Sequence, residues 1–121
     1  MNTIHKQLKD GGWNKLSLAE QLANIGSEVS RTINWREKNS DYSNRAFERV
    51  LELIDFSIND PKNRQSLKEL CRVREVLVDS FVGDNIYKST DDLWIRYFNS
   101  FNYLARVNVS SLIKPGLSGL C

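Results

Sequence analysis

Cysteine and histidine are scarce in this chain of 121 residues, which contains two cysteines and one histidine. These numbers exclude a four-cysteine zinc site and a histidine-rich metal site. The single histidine, His5, lies in a polar stretch without a cysteine or aspartate at ligand spacing. A glycine-rich phosphate loop and a nucleophile elbow are also lacking. We therefore expect no metal ion and no cofactor.

Long apolar runs and a large excess of charge of one sign are absent as well. No stretch approaches the ~18 apolar residues of a membrane span, and the N-terminal stretch lacks the apolar core of a signal peptide. The 17 basic and 15 acidic residues leave a net charge of +2. Such a balance does not by itself indicate a nucleic-acid or membrane partner. We expect a cytoplasmic protein without membrane contact.

Apolar residues recur at helical spacing in four segments. The first stripe follows a capping-box match at Ser17 and Glu20 and consists of Leu18, Leu22, Ile25, Val29 and Ile33. The second stripe, within residues 41–58, consists of Phe47, Val50, Leu51, Ile54 and Ile58. The third, within residues 61–82, has Leu67, Leu70, Leu77 and Phe81. The fourth begins after the acidic residues Asp91 and Asp92 and contains Trp94, Tyr97, Phe98, Phe101 and Leu104.

Four amphipathic helices joined by short loops favour an all-α fold, an antiparallel four-helix up-and-down bundle. We predict that residues 17–107 form this domain. Residues 1–16 are polar and lack periodicity, so we interpret them as a lead-in, and residues 108–121, with Pro115 and Gly116, as a flexible tail. A second stripe, of small residues, runs beside the first apolar stripe on the same helix and consists of Ala19, Ala23, Gly26 and Ser30. This stripe and the aromatic fourth helix could bury a contact between two subunits.

Charged residues interrupt the apolar faces at three places. Arg74 occupies a stripe position between Leu70 and Leu77, Asp55 lies four residues after Leu51, and Glu28 precedes Val29. A partly buried arginine requires a carboxylate partner, because an unpaired buried charge is strongly destabilising. We therefore predict that Arg74 or Arg72 pairs with Asp55 or Glu28. The resulting buried polar cluster consists of Glu28, Asp55, Arg72 and Arg74, and it is either a structural ion pair or part of a functional site.

The segment from Arg74 to Phe81, near the end of the third helix, resembles the signature of HEPN domains, small helical bundles common in prokaryotic toxin–antitoxin and defence systems. Active members of that family are metal-independent ribonucleases that pair an arginine and a histidine across a symmetric dimer. Arg74 matches the arginine, but Asp79 stands where the histidine falls, and Phe81 where a tyrosine often follows. Residues 22–29 and 72–75 are also similar to an uncharacterised prokaryotic family of small helical proteins.

The aspartate argues against RNA cleavage by the family's mechanism. A carboxyl group with an ordinary pKa of ~3.9 does not replace an imidazole as a general acid and base near neutral pH. Arg74 and Asp79 remain the catalytic candidates if the chain is a ribonuclease. The candidate RNA contacts are Lys68, Arg72 and Tyr87, the last in a loop after the third helix.

Two functions of different classes remain open. The first is a non-catalytic helical interaction module, expected to be a homodimer or to bind another protein, linked through the resemblance to a toxin–antitoxin or defence system. The second is a HEPN-like protein that binds or cleaves RNA. We favour the interaction module, because the acidic residues of the third helix nearly cancel its basic ones.

Overall fold

The computed structural model describes residues 12–107 and is all helical over that range. The predicted flexible tail of residues 108–121, most of the lead-in and His5 lie outside the described residues. Within residues 12–107 the α-helices are α1 (Leu18–Trp35), α2 (Ser40–Ile58), α3 (Leu67–Phe81) and α4 (Asp91–Val107). Two short 3₁₀ helices are Trp13–Lys15 and Pro61–Ser66. The all-α prediction is confirmed, and an up-and-down bundle fits these helices. Within residues 12–107, no helix combines the length and the apolar character needed to cross a membrane.

Side chains just before α1, α2 and α4 cap the first turn of these helices. The predicted capping box of α1 is confirmed: Glu20 N–H donates to Ser17 Oγ over 3.1 Å, and Ser17 N–H donates to Glu20 Oε1 over 2.8 Å. Asn39 Oδ1 accepts from the backbone of Tyr42 at the start of α2. Thr90 Oγ1 does the same for α4. Each side chain satisfies an N–H group that the helix cannot satisfy itself.

The segment that the sequence predicts as one third helix is divided. Asp60 caps a 3₁₀ turn by accepting from Lys62 N–H, and the α-helix begins only at Leu67. Ser66 and Glu69 have the spacing of a capping box, but no such cap forms, because the Glu69 carboxylate accepts from the hydroxyl of Tyr97 on α4.

Helix α1 packs closely against both α2 and α4, while α3 packs against α2. Gly26 permits the approach of α4: a Cβ atom there would lie 2.5 Å from Cβ of Phe98. Phe98, Trp94 and Phe101 are buried in the same core. The small-residue stripe and the aromatic helix, which we expected to be free for a subunit contact, therefore pack mainly against each other within one chain.

The buried face of α3 differs from the predicted one. Leu70, Val73 and Leu77 are buried, whereas Leu67 is 38% exposed and Arg74 flanks the stripe. The difference arises because α3 packs closely only on α2 and reaches α4 through long side chains, which leaves a narrow apolar face.

The core also extends into the predicted lead-in. Trp13, in the first 3₁₀ helix, is 1% exposed and belongs to the same hydrophobic cluster as α1 and α2.

Candidate functional site

The predicted ion pair between α2 and α3 is present. Arg74 Nε donates to Asp55 Oδ1 over 2.7 Å, and a second nitrogen of the guanidinium donates to Oδ2 over 3.3 Å. The pair is partly buried, as expected for Arg74: the Arg74 side chain is 37% exposed and that of Asp55 46%. Both residues lie beside the narrow interface of α2 and α3, where water still reaches them. This geometry is that of a bidentate surface bridge that fixes the register of two helices.

Glu28 does not join that pair, so the predicted four-residue cluster is not assembled. Its nearest basic partner is Arg31 of the same helix, 3.8 Å away. One carboxylate oxygen of Glu28 is buried without a hydrogen-bond partner among the described residues. Glu28 lies on α1, which packs closely on α2 and α4, whereas the bridge joins α2 and α3.

Arg72 and Tyr87, two of the three candidate RNA contacts, lie together. The guanidinium of Arg72 lies 4.4 Å from the centre of the Tyr87 ring and donates to its hydroxyl over 3.3 Å. That hydroxyl donates to Glu75 Oε2, and Glu75 also lies 3.7 Å from Arg72. The third candidate, Lys68, is exposed one helical turn earlier. A carboxylate therefore partly neutralises this surface of α3.

Asp79 has a structural role in the loop that follows α3. Its two carboxylate oxygens accept from the backbone N–H groups of Ile86, over 2.8 Å, and Tyr87, over 3.0 Å. The loop is tight, since Asn85 adopts a left-handed backbone conformation with φ of 53°. Arg74 contacts Asp55 on α2 instead, so the two catalytic candidates have separate partners.

A polar cluster that the sequence patterns did not reveal lies between the start of α1 and the end of α2. This polar node consists of Trp13, Gln21, Ser57, Asp60 and Asn63, which are all nearly inaccessible to water. Gln21 lies at its centre: its amide nitrogen donates to Asp60 Oδ2 and to the carbonyl of Trp13. Its amide oxygen accepts from Ser57 Oγ and from Asn63 Nδ2. Trp13 Nε1 donates in turn to Ser57 Oγ over 2.9 Å.

Gln21 could have been recognised from its place in the sequence. It lies three residues after Leu18 and four before Ile25, which is an apolar stripe position. Arg74 occupies the same kind of position on α3. Trp13 offered no such pattern, because it lies in a short turn outside any periodic segment.

Two ionisable groups of the interior have shifted pKa values. Burial raises the pKa of the Asp60 carboxyl, but hydrogen bonds from Lys62 and Gln21 outweigh it, so the pKa is lowered overall. Lys62 also forms an ion pair with Asp60. Burial, reinforced by the Glu69 carboxylate 2.7 Å away, raises the pKa of the Tyr97 hydroxyl. The Asp60 carboxyl and the Tyr97 hydroxyl are both hydrogen-bonded to other side chains of the protein. We therefore interpret them as structural groups and not as reactive ones.

An open groove lies on the surface of the α1–α2 pair, near the loop that joins the two helices. Its volume is about 320 Å³. We call it the arginine groove, and it is lined by Arg31, Trp35, Tyr42, Arg45 and Arg49. The spacing in sequence is helical: Trp35 follows Arg31 by four residues, and Tyr42, Arg45 and Arg49 are separated by three and four. This helical spacing of polar and aromatic residues is a sequence signal for the groove, but apolar stripes alone do not include it.

The arginine groove is electropositive. Three arginines in residues 12–105 have no carboxylate within ion-pair distance, namely Arg45, Arg49 and Arg64, and the first two of them are in the groove. Arg31 has only the distant Glu28, 3.8 Å away. Acidic residues of the same helices, Asp41 and Glu48, are exposed and form no ion pair with the groove arginines.

Two aromatic rings complete the groove. Trp35 and Tyr42 form an edge-to-face pair with ring centres 5.0 Å apart and an interplanar angle of 88°. Trp35 is 36% exposed and Tyr42 48%. Exposed aromatic rings next to unpaired arginines are characteristic of binding surfaces.

Comparison of the chain with known protein families, with curated proteins and with solved structures found no match in any of the three. The resemblance to HEPN domains therefore stays a prediction. Over the described part of the chain, no group of three or more histidine, cysteine, aspartate or glutamate side chains could hold a metal ion.

Proposed function

We propose that the protein is a non-catalytic binding module that holds an anionic partner in the arginine groove. The observation that carries the proposal is the presence of two adjacent arginines, Arg45 and Arg49, that have no carboxylate partner in the described part of the chain. A guanidinium without an internal partner is available to a carboxylate or phosphate, which it can hold through two parallel hydrogen bonds.

The two catalytic candidates, Arg74 and Asp79, are both bound to other groups of the protein, which supports a module without enzymatic activity. Arg74 is held by Asp55, and both oxygens of Asp79 accept from backbone N–H groups. A ribonuclease that used Arg74 and Asp79 would have to break both sets of contacts to bring these side chains to one substrate. The alternative of a HEPN-like ribonuclease is therefore the weaker one.

The Arg72 surface of α3 is a second candidate for contact with RNA, favoured by the guanidinium stacked on Tyr87. We rank it below the arginine groove because Glu75 contacts both Arg72 and the Tyr87 hydroxyl. The expected homodimer, the cytoplasmic location and the link to a toxin–antitoxin or defence system stay predictions. Light scattering on the purified protein tests the dimer directly.

Salt elution from immobilised heparin, used as a polyanionic probe, tests the proposed surface. The variant Arg45→Gln/Arg49→Gln should elute at clearly lower salt than the unmodified protein. The matched control Arg64→Gln/Lys68→Gln removes the same charge from exposed residues of other elements and should shift elution much less.

Equal shifts for the two double variants would mean that heparin responds to net charge alone, and this would refute the proposal. A larger shift for the control would place the anion on the second 3₁₀ helix and α3 instead. Circular dichroism of each variant, at matched concentration, checks that the helices are intact.

A further inference from the structure

The arginine groove combines two kinds of chemical group that one ligand would have to match. Its arginines offer cationic forks on two helices, with Arg45 and Arg49 about 6 Å apart along the axis of α2. Its aromatic rings, Trp35 and Tyr42, offer apolar faces at the same place. The groups that match them are an anion with several oxygens and a flat ring close to it.

The edge-to-face geometry of the rings bears on what they can bind. In such a pair, the edge of one ring meets the face of the other, so both faces of the first ring stay uncovered by the second. The exposed fractions of Trp35 and Tyr42 show that solvent reaches the pair. A planar group can therefore stack there without displacing a core contact.

An acidic peptide would match only part of this groove. Carboxylates could pair with Arg45 and Arg49, but Trp35 and Tyr42 would have no counterpart in them. A nucleotide carries a phosphate and a planar base in one unit, and arginine forks and aromatic faces are the groups that bind these parts of a single strand. Bases of a duplex are stacked on each other and cannot reach a ring on a protein surface.

The size of the groove agrees with a small unit of ligand. Its volume of about 320 Å³ is at the lower end of the range for small-ligand sites. We infer that the anionic partner of the arginine groove is a single-stranded nucleic acid, with a base stacked at Trp35 and Tyr42 and phosphates held by Arg31, Arg45 and Arg49. This inference rests on the proposed function.

Fluorescence anisotropy with a labelled single strand of about 10 nucleotides, in RNA and DNA form, measures the binding directly. We expect Arg45→Gln/Arg49→Gln to weaken binding and to reduce the slope of log affinity against log salt by about 1.4, since each lost phosphate contact removes about 0.7. The control Lys15→Gln/Arg64→Gln removes the same charge from exposed residues of the two 3₁₀ helices and should retain the slope of the unmodified protein.

Removal of an aromatic ring should weaken binding without the change in salt dependence that we expect for the arginine variants. Trp35→Leu should weaken binding by about five-fold or more through lost stacking, with an unchanged salt slope because no charge is lost. Tyr42→Leu is a second variant that serves if Trp35→Leu alters the helical content. Thermal melts of both variants separate lost binding from lost structure.

Competition distinguishes failure of this inference from failure of the proposed function. If polyglutamate displaces the labelled strand as well as an unlabelled strand does, and both aromatic variants bind normally, the groove binds anions without selecting nucleic acid, and the inference is overturned. A duplex that competes as well as the single strand would equally overturn the inference. If the groove variants change neither heparin elution nor binding of the strand, both proposals fail.

Discussion

Polar side chains are buried and hydrogen-bonded at one end of the α1–α2 pair, whereas at the other end the side chains of the arginine groove are more exposed. At the end where α1 starts and α2 stops, the polar node buries Gln21 and Ser57 completely and gives each of them partners inside the protein. At the other end, the arginine groove exposes Arg45 and leaves both it and Arg49 without a carboxylate partner in residues 12–105. Each end also has a tryptophan: Trp13 is sealed in the core, and Trp35 is partly open to water.

This contrast separates polar residues that serve the fold from those available to a ligand. A buried amide such as that of Gln21 must be satisfied internally, because an unsatisfied buried polar group is destabilising. An exposed guanidinium such as that of Arg45 has water as its partner, so the fold does not require it. Burial and pairing, rather than residue type alone, therefore indicate where the binding surface lies.

The largest expected difference between the two ends is between the tryptophans. Trp13→Ala should reduce the free energy of unfolding by about 3–5 kcal/mol, the usual loss for a large buried aromatic side chain. Trp35→Ala should lose only about 1 kcal/mol, since it forfeits an exposed aromatic pair. Urea denaturation followed by circular dichroism measures both. Equal losses would mean that Trp35 is as structural as Trp13.

Replacement of the central amide tests the polar node itself. Gln21→Leu should reduce the free energy of unfolding by about 2–3 kcal/mol, because Asp60 and Asn63 would lose a buried partner. The counterpart in the groove, Arg45→Gln, should change stability by no more than about 0.5 kcal/mol. Chemical denaturation of the two variants gives the comparison. A stable Gln21→Leu variant would show that water or rearrangement satisfies the node.

Acid should weaken the node and not the groove. The pKa of Asp60 is lowered on folding from its ordinary value of 3.8, so the unfolded chain binds more protons between the two values and stability falls as the pH falls through that window. The stabilising contribution of Asp60 is complete at pH values above its pKa in the unfolded chain and is lost below its pKa in the folded protein. Denaturation curves between about pH 5 and pH 2 should show this decline in the unmodified protein and less of it in Asp60→Asn. Identical profiles would contradict the assignment.

The Arg74–Asp55 bridge should give the smallest effect, since it is paired like the node but exposed like the groove. A double-mutant cycle with Arg74→Ala and Asp55→Ala should give a coupling energy of about 0.2–1 kcal/mol in favour of the pair. High salt should reduce it. Zero coupling at low salt would show that the bridge contributes nothing to the register of α2 and α3.

Local patterns made most of the fold predictable. The stripes of α1, α2 and α4 entered the core, and the capping box at Ser17 formed, because both depend on residues close in sequence. The pairing of Arg74 with Asp55 was one of several combinations left open. Its exposure was not predictable, since it depends on how closely α3 approaches its neighbours.

The candidate site was harder to predict than the fold. The spacing of Arg45 and Arg49 was visible in the sequence, but their lack of carboxylate partners was not, since any distant acidic residue could have folded against them. Asp79 illustrates the converse: its position suggested a catalytic role, and the fold uses it to hold the backbone of the following loop.

The sequence by itself determined α1, α2 and α4, because helical periodicity and capping act within a few residues of one another. Only the tertiary structure decided which polar side chains became interior and which stayed available. Gln21 and Arg45 both lie on helices that form the core, yet the first meets α2 and the turn after it, while the second meets solvent. That outcome depends on contacts between segments tens of residues apart, since burial is a property of the packed chain and not of any local pattern.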